Sequence, residues 1–290
     1  MRIALVSDLH VEYSGNREAS HALASRLADQ RPDALILAGD AGSTPPTILE
    51  GLEIFSEVAP VRMYVPGNHD LWVRLAPHRG GGDSWDAYDR GLAELAAAAG
   101  YHYLPSGVFI QNGVGFAGET GWFDFTFRPA LPDLRELPVC VFEAAEFEGW
   151  SWPDFALCEW GMSVTEVTDV MLRRLSTKLA RLDRDPAVRS IVAVTHHVPF
   201  RHHVNAWSPV CEIPERVWEY CTVFMGSTRL GDLLVQSPKT TLAVHGHSHV
   251  PGTWVVEREG GAPIRVARAP VGTEAERARS PEGRGLILEI

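Results

Sequence analysis

Five short apolar runs in this chain end in residues that apolar surroundings disfavour. They are Asp8-Leu9-His10, Gly39-Asp40, Gly67-Asn68-His69-Asp70, Thr195-His196-His197 and Gly246-His247-Ser248-His249. Asp, Asn and His offer oxygen and nitrogen lone pairs, a donor set that suits divalent first-row metals. No CxxC pair supplies the thiolates that structural zinc sites favour. Nine of the twelve histidines lie in these segments, beside them at His245, or just after the fourth at His202 and His203. Scattered core or surface histidines would not concentrate in this way. A carboxylate has two oxygens and can bridge two ions, so Asp40, at a tight Gly turn, is the bridging candidate. The small Gly39, Gly67 and Gly246 would let the backbone approach such ions closely.

Residues so far apart in the chain need a scaffold that gathers them. "RIALVSD" (2–8), "DALILAGD" (33–40) and "VRMYVPGN" (61–68) read as buried strands that run apolar and then turn polar. Between them, 18–30 and 46–58 have the spacing of amphipathic helices, and that β-α-β-α-β order implies mostly parallel pairing. A helix over 86–100 closes at Gly100, and Asn112-Gly113 marks a hairpin turn. The stretch 163–183 is a strong helix, with Ser163 and Glu166 as a capping box and Val167, Val170, Met171 and Leu175 on one buried face. "SIVAVTHH" (190–197) and "TTLAVHGHSH" (240–249) repeat the strand-then-polar form, and strands near 253–257 and 285–290 are expected to complete a second sheet. Strand carboxyl ends in layered α/β folds converge on one rim, where loops build a site.

Periodicity dissolves between about 122 and 160, where Trp, Phe and Pro accumulate around Trp122, Phe123, Phe125, Trp150, Trp152 and Trp160. That aromatic content marks an ordered insertion rather than a linker. With no repeat and no Gly/Ser linker, 1–290 is expected to form one domain carrying this insertion. The insertion offers either packing or a lid over the site. "HRGGGDS" (78–84) has no phosphate-cradling Lys and reads as a mobile loop.

At 290 residues and 45% hydrophobic content the chain can bury a sizeable core. Its net charge of −11 argues against a nucleic-acid or anionic-membrane surface, which would call for clustered Lys and Arg. Four cysteines without a CxxC pair suit a reducing compartment, with a single disulfide as the alternative. The opening lacks a signal-like apolar core, and no run of about 18 apolar residues occurs. A cytoplasmic protein with no membrane contact is expected.

In their order, Asp-x-His, Gly-Asp, Gly-Asn-His-Asp, a strand-end His and Gly-His-x-His resemble the calcineurin-like metallophosphoesterase superfamily. The match runs from residue 8 to 249. The resemblance implies an α/β fold, a four-layer α/β/β/α sandwich of two mixed sheets flanked by helices, holding two divalent metals. It implies Asp8, His10 and His249 at one ion, Asn68, His196 and His247 at the other, and Asp40 between them. His69 matches the family's catalytic histidine. The family often continues its second motif as Gly-Asp-x-x-Asp, where this chain has Ser43. Thr195-His196 best fits a ligand leaving its strand, with His197 as the rival. Protein phosphatases of the superfamily carry Gly-Asp-x-Val-Asp-Arg-Gly, which "GDAGSTP" does not match.

Two metals about 3.5–4 Å apart acidify a bridging water and orient phosphoryl oxygens. The expected reaction is attack of that hydroxide on a small phosphate monoester or diester, with His69 giving a proton to the leaving oxygen. Asp70 would orient His69 or cap the following turn. His197, Arg201 and His202 are candidates for substrate phosphate, with packing or a solvated loop as the alternative. The metal is open among manganese, iron, zinc, cobalt and nickel. An inactive metal-binding scaffold, or a nuclease, is the alternative function. His245 faces opposite to His247 in an extended strand and reads as structural.

Overall fold

The computed structural model describes residues 1–76, 81–207 and 213–290. Thirteen strands are found among them: β1 (Arg2–Val6), β2 (Ala34–Ala38), β3 (Val61–Val65), β4 (His102–Tyr103), β5 (Phe109–Gln111), β6 (Val114–Gly118), β7 (Glu146–Phe147), β8 (Trp150–Ser151), β9 (Ser190–Val194), β10 (Thr240–Val244), β11 (Gly252–Val256), β12 (Ile264–Arg268) and β13 (Leu286–Glu289). One sheet has the order β13-β1-β2-β3-β4 and the other β11-β12-β10-β9-β6-β5, while β7 and β8 form a separate hairpin. Within each large sheet the inner strands are parallel and antiparallel strands sit at the edges.

Both faces of the central strands are apolar because both are covered. Ile3 and Leu5 of β1 meet Ile36, Met63, Phe116, Val192, Val194 and Val244 in the seam between the sheets. The alternate residues Ala4 and Val6 face outward, onto Leu23 and Leu27 of α1 (Asn16–Ala28) and Ile48 and Leu52 of α2 (Pro45–Ile54). The helix α3 (Leu92–Ala98) packs on this side too. On the other side, Leu175, Leu179 and Leu182 of α4 (Val164–Arg184) and Leu230 and Leu234 of α5 (Thr228–Gln236) cover Ile191, Ala193 and Ala243. The result is the expected α/β/β/α sandwich.

Ser163 accepts from the Glu166 amide, and the Glu166 side chain returns to the Ser163 amide, so α4 starts at its capping box. Asn112 and Gly113 turn β5 into β6 with φ of 53° and 80°. Two expectations need correction. The strand at 286–289 joins the first sheet, antiparallel to β1, rather than completing the second. The second sheet instead gains β12, whose Arg265 and Arg268 disguise its apolar Ile264, Val266 and Ala267. The helix expected over 86–100 is divided by a π-turn at Ala87–Gly91, and Gly100 ends it at φ 76°.

The aromatic insertion is ordered. Trp122, Phe123, Phe125, Phe142 and Trp160 are buried in the same cluster as Tyr64 and Leu71, whereas Trp150 is 44% exposed. No helix among the described residues is long and apolar enough to cross a membrane. Cys140, Cys158 and Cys221 are free. Cys211 and part of the Gly-rich segment 78–84 lie outside the described residues.

Candidate metal centre

The carboxyl ends of β1, β2 and β3 meet those of β9 and β10 on one rim. Backbone bonds join the two sheets there: Ser7 N donates to Ala269 O (3.2 Å) and Val271 N to Ser7 O (2.8 Å). The chain then bends sharply after β1, β2 and β10. Asp8, His10, Asp40 and His247 have φ of 52°, 43°, 56° and 69°, in the left-handed region that side chains disfavour. Four strained non-glycine residues at one spot cost about 1–3 kcal/mol each, and such strain gathers at functional sites.

Two donor sets that share Asp40 result, beside a third made of His10, Glu12 and His69. Asp8, His10, Asp40 and His249 each offer an atom within 4.8 Å of the others, and so do Asp40, His196 and His247. His10 Nε2 lies 3.2 Å from His249 Nε2 and 3.6 Å from Asp40 Oδ2. His249 Nε2 lies 3.5 Å from Asp8 Oδ1. Across the cluster, His196 Nε2 is 3.3 Å from Asp40 Oδ2 and 3.1 Å from Asn68 Oδ1. Ligand atoms about 2.1 Å from an ion stand about 3.0–3.4 Å apart in an octahedral or tetrahedral shell. Three of the observed spacings fall on that edge length, and those of 3.5 and 3.6 Å lie just beyond it. His247 Nε2 is also buried without a hydrogen-bond partner, as a lone pair awaiting an ion would be. The donor chemistry therefore fits divalent cations, with Asp40 common to both sets.

The electrostatics agree. Burial pushes the imidazoles of His10 and His247 well below their ordinary value, leaving them neutral and able to donate lone pairs. Burial opposes ionisation of Asp40, but His196, His69 and His10 outweigh it and hold the carboxyl well below the usual range. Burial likewise opposes protonation of His196 and His249. Asp40 raises the first to about 9, and Glu276 with Asp8 raises the second to about 9. In the metal-free protein these protons neutralise the carboxylates.

Several supporting residues escaped sequence reasoning. His196 Nδ1 donates to Ala38 O (2.9 Å) and His249 Nδ1 to the Glu276 carboxylate (3.0 Å), so each turns Nε2 inward. Glu276 sits on α6 (Glu274–Arg279), far beyond the last motif. Asp154, in the insertion, accepts from Asn68 Nδ2 (2.9 Å), Trp72 Nε1 (2.7 Å) and Trp152 Nε1 (2.8 Å). Its carboxylate thus aims the Asn68 oxygen at His196. Ser43 donates to Glu12 and stands 3.4 Å from His69 Nδ1, which links His69 to a carboxylate through a hydroxyl. No periodicity or motif signals Asp154 or Glu12, and the Thr273-x-x-Glu276 capping box marks Glu276 only as the start of a helix.

Asp70 does not reach His69. Its carboxylate accepts the amides of Asp40 (2.8 Å), Gly42 (3.2 Å) and Gly67 (2.7 Å), clamping the second and third motif loops together. That geometry corrects its expected partnership with His69, because three converging amides hold both oxygens. The three glycines make room for ligand side chains more than for ions. A Cβ on Gly39 would meet His196 Nδ1 at 2.2 Å, one on Gly67 would meet Asp40 Oδ1 at 2.0 Å, and one on Gly246 would meet Asp8 Oδ2 at 2.9 Å. His197 is buried with both ring nitrogens unpartnered, its ring 4.4 Å from that of His247, but it joins neither donor set. Arg201 and His202 do not line the cavity over the cluster: Arg201 binds Arg128 O (3.3 Å) and faces Glu219, and His202 is exposed. His245 stacks toward Trp254 and His203, away from the cluster.

Residues 1–251 match the calcineurin-like phosphoesterase family, and the chain belongs to it. Among solved structures, phosphopantetheinyl hydrolase from Mycobacterium tuberculosis is similar at TM-score 0.71 and 21% identity, over 99% of this chain and 95% of that one. A dimetal phosphatase from Danio rerio follows at TM-score 0.53 and 11% identity, over 93% and 87%. At these identities the likeness concerns the fold. No curated protein matches the chain in sequence.

Proposed function

We propose that the protein is a metal-dependent hydrolase of small phosphate monoesters or diesters, working with two divalent cations. Asp8, His10 and His249 would hold one cation and Asn68, His196 and His247 the other, with Asp40 shared. When bound, such ions supply charge neutralisation and a water acidified at neutral pH. The observation that carries this is the single Asp40 carboxylate common to two donor sets with ligand-like spacings.

The chain's own groups account for the rest. His69 lines the same cavity as Asp40, Asn68 and His247, so it adjoins an ester phosphorus bound there. Burial lowers its imidazole to about 4, which opposes a proton donor. A phosphate anion beside it would favour the protonated ring, and Glu12, linked through the Ser43 hydroxyl, adds a second negative charge on the same side. His69 then donates to the departing oxygen. Trp72 packs against the His69 ring, centroids 3.6 Å apart and planes tilted by 32°, and holds it in place.

The test is turnover of an aryl phosphate and an aryl phosphodiester with added manganese, with a phosphopantetheinyl ester included because of the M. tuberculosis neighbour. Hydrolysis that chelation abolishes is expected. Bound metal without turnover of any ester would mark an inactive scaffold instead.

A further inference from the structure

A cavity of about 560 Å³ opens over the donor cluster, with Asp40, Asn68, His69, His247 and His249 in its floor. Its remaining walls have a different character: Trp72, Trp150, Trp152, Ile213, Trp218 and Met225 dominate them. An indole has one polar atom, a donor. Three of the four indoles have already committed theirs: Trp72 and Trp152 to Asp154, and Trp218 to Asn205 O at 3.2 Å. They present carbon faces to the cavity.

Several of the other polar wall groups are similarly engaged, the Ser151 and Ser280 hydroxyls excepted. The Asn205 amide donates to Ser248 Oγ (2.9 Å) and accepts from Arg268 (3.0 Å), so it has little left to read a ligand edge. Thr222 donates to Glu219 O (2.7 Å). Glu276 is bound to His249. Arg279 is the one Lys or Arg among the described lining residues, too few cations for a second phosphate or a polyanion. A nucleobase or sugar entering here would leave much of its polar edge without partners, since Ser151, Ser280, Arg279 and the Trp150 indole are the few polar side chains left to meet it. A ligand that replaces water on the indole faces with carbon would gain by it.

We propose that this cavity receives the alcohol half of the ester, and that the preferred substrates are phosphate esters of large, uncharged, mostly apolar alcohols. The inference rests on the phosphoesterase reading of the same site. It places the phosphate on the floor and the organic group against the tryptophans.

Binding tests it without turnover. Alkylphosphonates from methyl to decyl are titrated calorimetrically into manganese-loaded protein, with adenosine monophosphate as comparator. Kd should fall about fourfold per added methylene until the cavity is full, and adenosine monophosphate should bind no tighter than a short phosphonate. Trp152→Ala, Trp218→Ala and the more exposed Trp150→Ala should each flatten the slope. A chain-length slope that is flat, or that survives all three substitutions, overturns the proposal, as does tighter binding of the nucleotide. Parallel hydrolysis of methyl and decyl phosphates separates the two claims. Equal turnover with a flat phosphonate slope sinks the preference and leaves a phosphoesterase. A steep slope with no turnover of any ester keeps the apolar cavity and removes the catalytic reading.

Discussion

Gly67→Ala should disable the site without touching a ligand. An alanine Cβ at this position would lie 2.0 Å from Asp40 Oδ1 and 2.7 Å from Asp40 Cγ and N. Ordinary contact needs about 3.4 Å, so Oδ1 would have to retreat by about 1.4 Å. Metal–ligand distances tolerate about 0.2 Å. The Asp40 backbone cannot retreat with its carboxylate, since its amide is held by Asp70, which also holds Gly67. The variant should therefore bind less than two manganese ions per chain after dialysis and lose about 100-fold or more in kcat/KM, the scale that misplacement by about 1 Å produces. Gly107→Ala is the control, because a Cβ there meets nothing within 4 Å. Elemental analysis and initial rates read both outcomes. Two tightly held ions and an unaltered rate in Gly67→Ala would refute the view that Gly67 exists to seat a bridging Asp40.

Other consequences can be checked alongside. His69→Ala should keep both metals but lose about 10²- to 10⁴-fold in turnover; loss of metal would make it a ligand instead. Asp154→Asn leaves three donors facing one acceptor oxygen. It should cost about 1–3 kcal/mol and weaken metal retention through Asn68; unchanged retention would limit Asp154 to folding. The protons on His196 and His249, raised to about 9, stabilise the metal-free fold fully below about pH 6.5, and that contribution fades as pH rises through about 9. Cations must displace these protons, so metal uptake at pH 7 should release them and affinity should climb with pH up to about 9. Calorimetry in buffers of different ionisation enthalpy counts them, and a count of zero would contradict the assignment.

What the sequence disclosed follows from what local physics can encode. Asp, Asn and His are metal-donor types that apolar surroundings disfavour, and each stands where an apolar run stops, so the strand ends announced themselves. Which of His196 and His197 lies beside Ala38 O and Asp40 is a tertiary fact that the sequence does not encode locally. Glu276, Asp154 and the Glu12–Ser43 pair are single polar residues, and the contacts His249–Glu276, Asn68–Asp154 and Ser43–Glu12 that tie them to the site span 27 or more positions. No spacing rule marks such contacts. The strand at 286–289 was recognisable by its apolar content, but its sheet was set by the return of the chain to β1. Among the aromatics of the insertion, composition could not tell the buried Trp122 from Trp152 in the cavity wall, because both need a carbon surface to face.

Anomalous diffraction from crystals grown with manganese tests the central claim most directly. Two peaks about 3.5–4 Å apart are predicted, one beside Asp8, His10 and His249 and the other beside Asn68, His196 and His247, with the Asp40 carboxylate touching both. A single peak, or two peaks of which only one contacts Asp40, would contradict the shared-carboxylate centre.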